Sequence, residues 1–330
     1  MTTHAEASSG IDTGDPGRVL LAGCGDLGTQ VGLRLQAQGH TVTGVRRTPQ
    51  KRRLPFEVIG MDLASPGDAL LPEADAVVVA LTPDSRDADG YQRAYRRTLR
   101  GLAEALPRPP KQLIFISSTS VLGDGHQHPV TEDTTPAPQR DTAEVLLAAE
   151  QDAAELFEHT AVIRPAGIYG PGRTRLIDQV RRGQAADHGR LTNRIHRDDL
   201  VSTILTVLQH RKPPPLLHAV DEEPAPLGQV LRFIAGELAV PVPPDSGSGE
   251  LHGKRIVGTR LQRLITEPGL RFPTFREGYS ALLQSEDPRP SARKSPQPGS
   301  QPTFCRGRCC TCPAEGRLAA YPSAGRFSTE

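Results

Sequence analysis

Six residues, Gly23-Cys24-Gly25-Asp26-Leu27-Gly28, set three glycines at the spacing that lets a backbone turn sharply and approach an anion closely. The apolar run Val19-Leu20-Leu21 precedes them, and an amphipathic run through Leu27, Val31, Leu33 and Leu35 follows. Strand, glycine turn and helix start in that order make a diphosphate cradle, where free N–H groups and the positive end of a helix dipole meet the phosphates. Gly23, Gly25, Asp26, Leu27 and Gly28 are therefore candidate dinucleotide-binding residues. Cys24, inside the turn, reads as a small packing residue rather than a nucleophile.

The end of the next strand selects the dinucleotide. His40 to Val45 is a short β-type segment ending in Arg46-Arg47, with Lys51, Arg52 and Arg53 close behind. A site for an unphosphorylated ribose places a carboxylate here, to accept hydrogen bonds from the 2′-hydroxyl. Arginine instead pairs with a 2′-phosphate through a charge-assisted fork. Arg46 and Arg47 thus favour NADP, with NAD as the other possibility. They also argue against an S-adenosylmethionine methyltransferase, which wants an acid at this place. A solvated basic turn is the competing reading of the same residues.

Strands and helices must alternate to position these groups. Phe56–Met61 makes a third strand ending at Asp62, and Ala76–Leu81 is a continuous apolar run of the kind covered on both faces. A helix over Tyr91–Leu106, a strand over Gln112–Ser117, a helix over Asp141–Glu158 and a strand over Thr160–Arg164 follow. The order predicts an α/β fold, a Rossmann doubly wound parallel sheet. Ligands bind such sheets at the carboxyl ends of the strands. Asp62, Leu63, Leu81, Thr82, Pro165 and Ile168 join the candidate cofactor set on that ground. Downstream, Leu200–Leu208 reads as a helix, Pro215–Val220 as a strand and Leu227–Leu238 as a helix. Phe275 and Tyr279 stand four apart on one face of a last helix.

Composition sets wide bounds. A chain of 330 residues with a formal net charge of +1 gives no reason to invoke nucleic acid. No apolar run approaches a membrane span and no signal-peptide core follows Met1, so the cytoplasm is the expected location and a small molecule the expected partner. A homodimer is left open. Residues 1–16 read as a disordered leader, 17–284 as the folded unit, and 285–330 as a disordered tail rich in Pro, Ser, Gly and Arg. The tail carries seven basic against four acidic residues, a net charge of +3. It also holds Cys305, Cys309, Cys310 and Cys312, whose spacing lacks the paired CxxC arrangement of a zinc site. His126, His128 and the pair His196 and Asp198 lack a convincing third ligand, so no metal is expected.

In order along the chain, the glycine turn, Ile116-Ser117-Ser118-Thr119-Ser120-Val121-Leu122-Gly123, Arg164-Pro165-Ala166-Gly167-Ile168-Tyr169-Gly170-Pro171-Gly172 and Arg194-Ile195-His196-Arg197-Asp198-Asp199 resemble the extended short-chain dehydrogenase/reductases. That family includes NAD(P)-dependent nucleotide-sugar epimerases and dehydratases. The wording GCGDLG, TNRIHRDDL and FPTFREGY is most similar to its atypical YeeZ-like branch. Over residues 18–284 the resemblance implies a Rossmann domain with a small C-terminal substrate region, about 170–284. It implies an oxidoreductase acting on a carbonyl or sugar-type substrate by hydride transfer.

One departure from the family is chemical. Its catalytic tyrosine and lysine, one helical turn apart, correspond here to Thr142 and Leu146, neither of which can move that proton. Ser118 matches the family's catalytic hydroxyl and could polarise a carbonyl, or simply satisfy the strand end. Tyr169, with Arg173 four residues on, is the candidate replacement, or else a packing residue whose spacing to Arg173 is a coincidence of the loop. His196 is a better acid near neutral pH, although Asp198 or Asp199 as a helix cap and His196 as a packing residue fit the stretch better. Without the pair, a non-catalytic NADP-binding module is the alternative function.

Overall fold

The computed structural model describes residues 17–48, 53–124, 128–265 and 269–286. The expected leader, Lys51, Arg52, His126 and the four tail cysteines lie outside the described residues. Strands β1 (Arg18–Ala22), β2 (Thr41–Arg46), β3 (Glu57–Gly60), β4 (Ala76–Val79), β5 (Gln112–Ile116) and β6 (Thr160–Pro165) fall on the apolar runs of the sequence. Three short strands follow, β7 (Gly167–Tyr169), β8 (Leu191–Thr192) and β9 (Arg194–His196), then β10 (Leu216–Ala219) and β11 (Ala225–Pro226). Seven of these form one sheet in the order β10-β6-β5-β4-β1-β2-β3. Every pairing in it is parallel. The chain runs outward from β1 to β3, then returns to place β4 on the other side of β1. That reversal is the switch point where an open parallel sheet leaves a crevice.

Both faces of the sheet are covered, which is why its strands are apolar at consecutive positions. Val19 and Leu21 pack with α1 (Asp26–Ala37) on one side, whereas Leu20 and Ala22 pack on the other. The second face is closed by a helical stretch of three parts. These are α2 (Ala88–Tyr91), a π-helical segment Gln92–Arg97, and α3 (Thr98–Ala105). The expected helix from Tyr91 therefore begins three residues earlier, because Asp87 accepts a hydrogen bond from Gly90 N at 2.8 Å and caps it. Helix α4 (Asp141–Leu156) completes this layer.

Beyond β6, α5 (Arg175–Arg181), α6 (Arg197–Gln209), α7 (Leu227–Leu238), α8 (Thr259–Leu264) and α9 (Phe275–Glu286) follow. Helix α6 joins α1 on the first face, and β10 is an edge strand of the main sheet. Much of the stretch after residue 170 is thus part of the sheet and its layers. A third core, with Ile177, Val230, Ile234, Phe275 and Tyr279 at its centre, is built from α5, α7 and α9. Helix α9 continues to Glu286, two residues past the boundary expected at 284. No helix among the described residues is long and apolar enough to cross a membrane.

Candidate functional site

The three glycines of the turn have three different physical reasons. Gly23 adopts φ +98°, and a Cβ there would lie 2.3 Å from the Ala80 carbonyl oxygen at the end of β4. Gly28 sits in the first turn of α1, and a Cβ there would lie 2.2 Å from Gly23 O. These two let strand, turn and helix pack closely. Gly25 has an ordinary φ of −83°, and a Cβ there would meet nothing within 4 Å. Space open at the second glycine is what a diphosphate approaching the backbone needs. The N–H groups of Gly23 and Cys24 donate to Val45 O at 3.0 and 3.1 Å, which locks the turn to β2. First-turn N–H groups of α1 have no intrahelical acceptor.

A cleft of 840 Å³ opens beside this turn, at the carboxyl ends of β1, β2, β3 and β4. Gly23, Gly25, Arg46, Arg47, Asp62, Leu63, Leu81 and Thr82 all line it. Its size lies within the range of small-molecule sites. Arg46 is half-buried and its Nη1 donates to Cys24 O at 3.3 Å, so the guanidinium is held against the glycine turn. Arg47 pairs with Asp84, and Arg93 with Asp62. Arg93 and Arg97, one helical turn apart, border the cleft from the π-helical segment. Neither these arginines nor Asp84 was foreseen from the sequence. The spacing of Arg93 and Arg97 was the one available signal. Cys24 is buried with its Sγ 3.6 Å from Thr29 Oγ1, and burial pushes its thiol up, so it packs as expected.

The remaining candidates are distributed elsewhere. Asp26 is exposed and ion-paired, Leu27 is buried, and Pro165 ends β6; none of the three lines the cleft. Ser118 is half-buried just past β5, and its Oγ accepts from Ser120 N at 3.1 Å. That bond leaves the hydroxyl proton free. Beneath it, Ser117 Oγ donates to Glu150 Oε1, and Glu150 holds a buried ion pair with Arg164 at 2.6 Å. Leu146, where the family lysine belongs, is 2% exposed and packed with Val121 and Leu122. A lysine could not occupy that apolar environment without cost.

Ile168 and Tyr169 line a second cleft of 440 Å³, together with Arg173, Arg175, Arg190 and Arg194. Tyr169 is stacked on Tyr279 at 4.7 Å and meets the edge of His196 at 5.2 Å. Burial raises its phenol well above the ordinary value, so its proton stays in place. The anticipated pairing of Tyr169 with Arg173 is not formed: Arg173 Nε donates to Asp26 Oδ2 at 2.8 Å instead. Asp221, 2% exposed behind this wall, is pushed up to about 7 by burial, with the Arg194 guanidinium opposing.

His196 corrects one expectation. The cap of α6 is His196 itself, whose Nδ1 accepts from Asp198 N at 3.2 Å, and not an aspartate. Burial against Phe272 and Tyr169 pushes its imidazole down to about 4, so it is neutral at physiological pH. Asp199 accepts from Arg271 N and Phe272 N at 2.8 and 3.0 Å and fastens the last turn before α9. Among the described residues, no group of three or more His, Cys, Asp or Glu side chains could hold a metal ion.

A parallel sheet with a glycine-turn cradle at its switch point defines a Rossmann-type α/β protein. Residues 19–217 match the NAD dependent epimerase/dehydratase family, and the chain belongs to that family. It is 33% identical over 215 residues to the protein YeeZ of Escherichia coli K12, a match spanning 59% of this chain and 74% of that one. Among solved structures, a Methylobacillus flagellatus protein described as a candidate NAD-dependent epimerase/dehydratase is 30% identical, with a TM-score of 0.68. The match covers 82% of this chain and 99% of that one. MoeE5, solved with UDP-glucose and NAD, shares the fold at 22% identity and TM-score 0.67, covering 81% of this chain and 98% of that one. Human epimerase family protein SDR39U1, solved with NADPH, shares it at 19% identity and TM-score 0.67, over 81% and 99%.

Proposed function

We propose that the chain is an NAD(P)-dependent oxidoreductase that binds NADP in the larger cleft and a small carbonyl or nucleotide-sugar substrate in the arginine-lined one. The observation that carries this reading is the open space at Gly25 beside a cleft ringed by Arg46 and Arg47. The glycine turn and the start of α1 would hold the diphosphate, and Arg46 would take a 2′-phosphate as a charge-assisted partner. Asp62 and Leu63 would border the base, and Leu81 and Thr82 the ribose. Pro165 and Ile168, outside the larger cleft, would be reached only by the other end of the dinucleotide. Bound, the nicotinamide supplies hydride transfer; the rest of the chemistry belongs to the chain.

Ser118, just past β5 and outside the linings of both clefts, would donate its free hydroxyl proton to a substrate oxygen that reaches beyond the arginine-lined cleft. Tyr169, whose hydroxyl is buried against α9 at Gly278, would shape the substrate wall by packing and would move no proton. The nucleotide-sugar complex of MoeE5 supports the substrate class, and the NADPH complex of SDR39U1 supports a phosphorylated dinucleotide. Incubating the full chain with NADPH or NADP and a panel of carbonyl compounds and nucleotide sugars tests the proposal. Cofactor turnover or epimer formation that Ser118→Ala lowers is expected. Bound cofactor with no turnover on any substrate would count against an enzyme. That outcome would favour a non-catalytic NADP-binding module, which the buried Leu146 at the lysine position supports.

A further inference from the structure

Asp26 carries a charge of the wrong sign for its place. It is the first residue of α1, inside the glycine turn. A carboxylate is favourable at a helix N-terminus taken alone, but beside a diphosphate it repels at any effective dielectric. The compensation comes from far away in sequence. Arg173 Nε donates to Asp26 Oδ2 at 2.8 Å, and Arg197 Nη1 to Asp26 Oδ1 at 3.3 Å, across 147 and 171 residues. Arg197 is fixed independently: its Nη1 also donates to Pro171 O at 2.8 Å, and its Nη2 to Asp198 Oδ1 at 3.2 Å.

The loop between β7 and α5 brings the two cations together. Arg173 N donates to Gly170 O at 2.8 Å, closing a tight turn. Gly170 adopts φ +140°, and a Cβ there would lie 3.1 Å from the Cβ of Arg197. This glycine lets the loop lie directly on the start of α6, so that both guanidiniums reach one carboxylate. Asp26, Arg173, Arg197 and Asp198 sum to zero charge. Removing Arg173 leaves a net negative charge at the mouth of the turn.

We propose that Arg173 and Arg197 form a charge-compensating clamp on Asp26, and that Arg173 sets dinucleotide affinity through Asp26 rather than by touching the phosphates. It is a positioning residue, and the proposal rests on the reading that the glycine turn carries a diphosphate. Arg173 is the position to vary because its side chain is 36% exposed, against 11% for Arg197.

The test is a calorimetric titration of NADPH into the full chain and the variants Asp26→Asn, Arg173→Gln and Asp26→Asn/Arg173→Gln. Arg173→Gln is expected to bind about tenfold more weakly. Asp26→Asn should bind at least as tightly as wild type, and the double variant should return to that level. A wild type that does not bind refutes the dinucleotide reading and the clamp with it. Wild-type binding with Arg173→Gln unchanged refutes the clamp alone. A double variant as weak as Arg173→Gln means that Arg173 meets the phosphates itself, which also overturns the proposal. Arg173→Lys keeps the charge and separates affinity from folding. It should stay within about threefold of wild type, and an Arg173→Lys chain as weak as Arg173→Gln would contradict the charge argument.

Discussion

Gly25→Val separates binding from folding more cleanly than any other single change. At Gly25 the backbone is extended, with φ −83° and ψ −152°, so no positive φ reserves the position for glycine. A Cβ there meets no atom within 4 Å. The fold should therefore change by less than about 1 kcal/mol, and could gain from a stiffer unfolded chain. The same methyl groups would stand where a diphosphate must approach the backbone, and excluding it should cost at least ~3 kcal/mol, more than a hundredfold in affinity. Gly23→Ala is the opposite control. Its φ of +98° and a Cβ 2.3 Å from the Ala80 carbonyl oxygen combine backbone strain with a clash against a central strand. A loss of about 3 kcal/mol, roughly 6–12 °C in melting temperature, is expected. Thermal melts and NADPH titrations of both full-length variants make the comparison. A Gly25→Val chain that melts like wild type and still binds NADPH would refute the placement of the diphosphate. One that melts far below wild type would refute the reading of open space.

Two further outcomes follow from buried groups. His218 is fully buried with neither ring nitrogen hydrogen-bonded by a side chain, and burial pushes it down to about 4. Its folded value lies below the unfolded one near 6.5, so the unfolded chain binds the extra proton between pH 6.5 and 4, and stability falls as pH falls through that window. His218→Leu should flatten this acid limb by about one proton in denaturant titrations taken at several pH values; an unchanged slope would contradict the assignment. Leu146→Lys, which restores the family residue at that position, should not restore its chemistry. Burying an ammonium at a 2% exposed core site should cost about 2–5 kcal/mol, read as a lower melting temperature, and a stable Thr142→Tyr/Leu146→Lys chain with new turnover would overturn this.

What was legible in the sequence was local. The glycine turn, the apolar runs of β1, β4 and β5, and Arg46 at the end of β2 all declare themselves within a dozen residues, because periodicity and turn chemistry are short-range. Asp84, Arg93 and Arg97 were not legible as cleft residues: their position depends on where β4 lies beside β1 and on the π-helical segment that turns Arg93 and Arg97 toward it. The cap of α6 went to His196 because its Nδ1 already faced Asp198 N while Asp199 was drawn to the turn before α9. The second cleft assembles residues from Gly167 to Tyr279. The partnership of Arg173 with Asp26 spans 147 residues, a distance over which sequence pattern carries no register.

On the proposed function, the larger cleft would hold a phosphorylated dinucleotide through Arg46. Titrating NADPH and NADH in parallel into the full chain and into Arg46→Asp tests it most directly. Wild type is expected to bind NADPH at least about tenfold more tightly than NADH, and Arg46→Asp to lose this preference, as for removal of one charge-assisted phosphate pair. Failure of wild type to bind either dinucleotide, or an Arg46→Asp chain that still prefers NADPH, would contradict it.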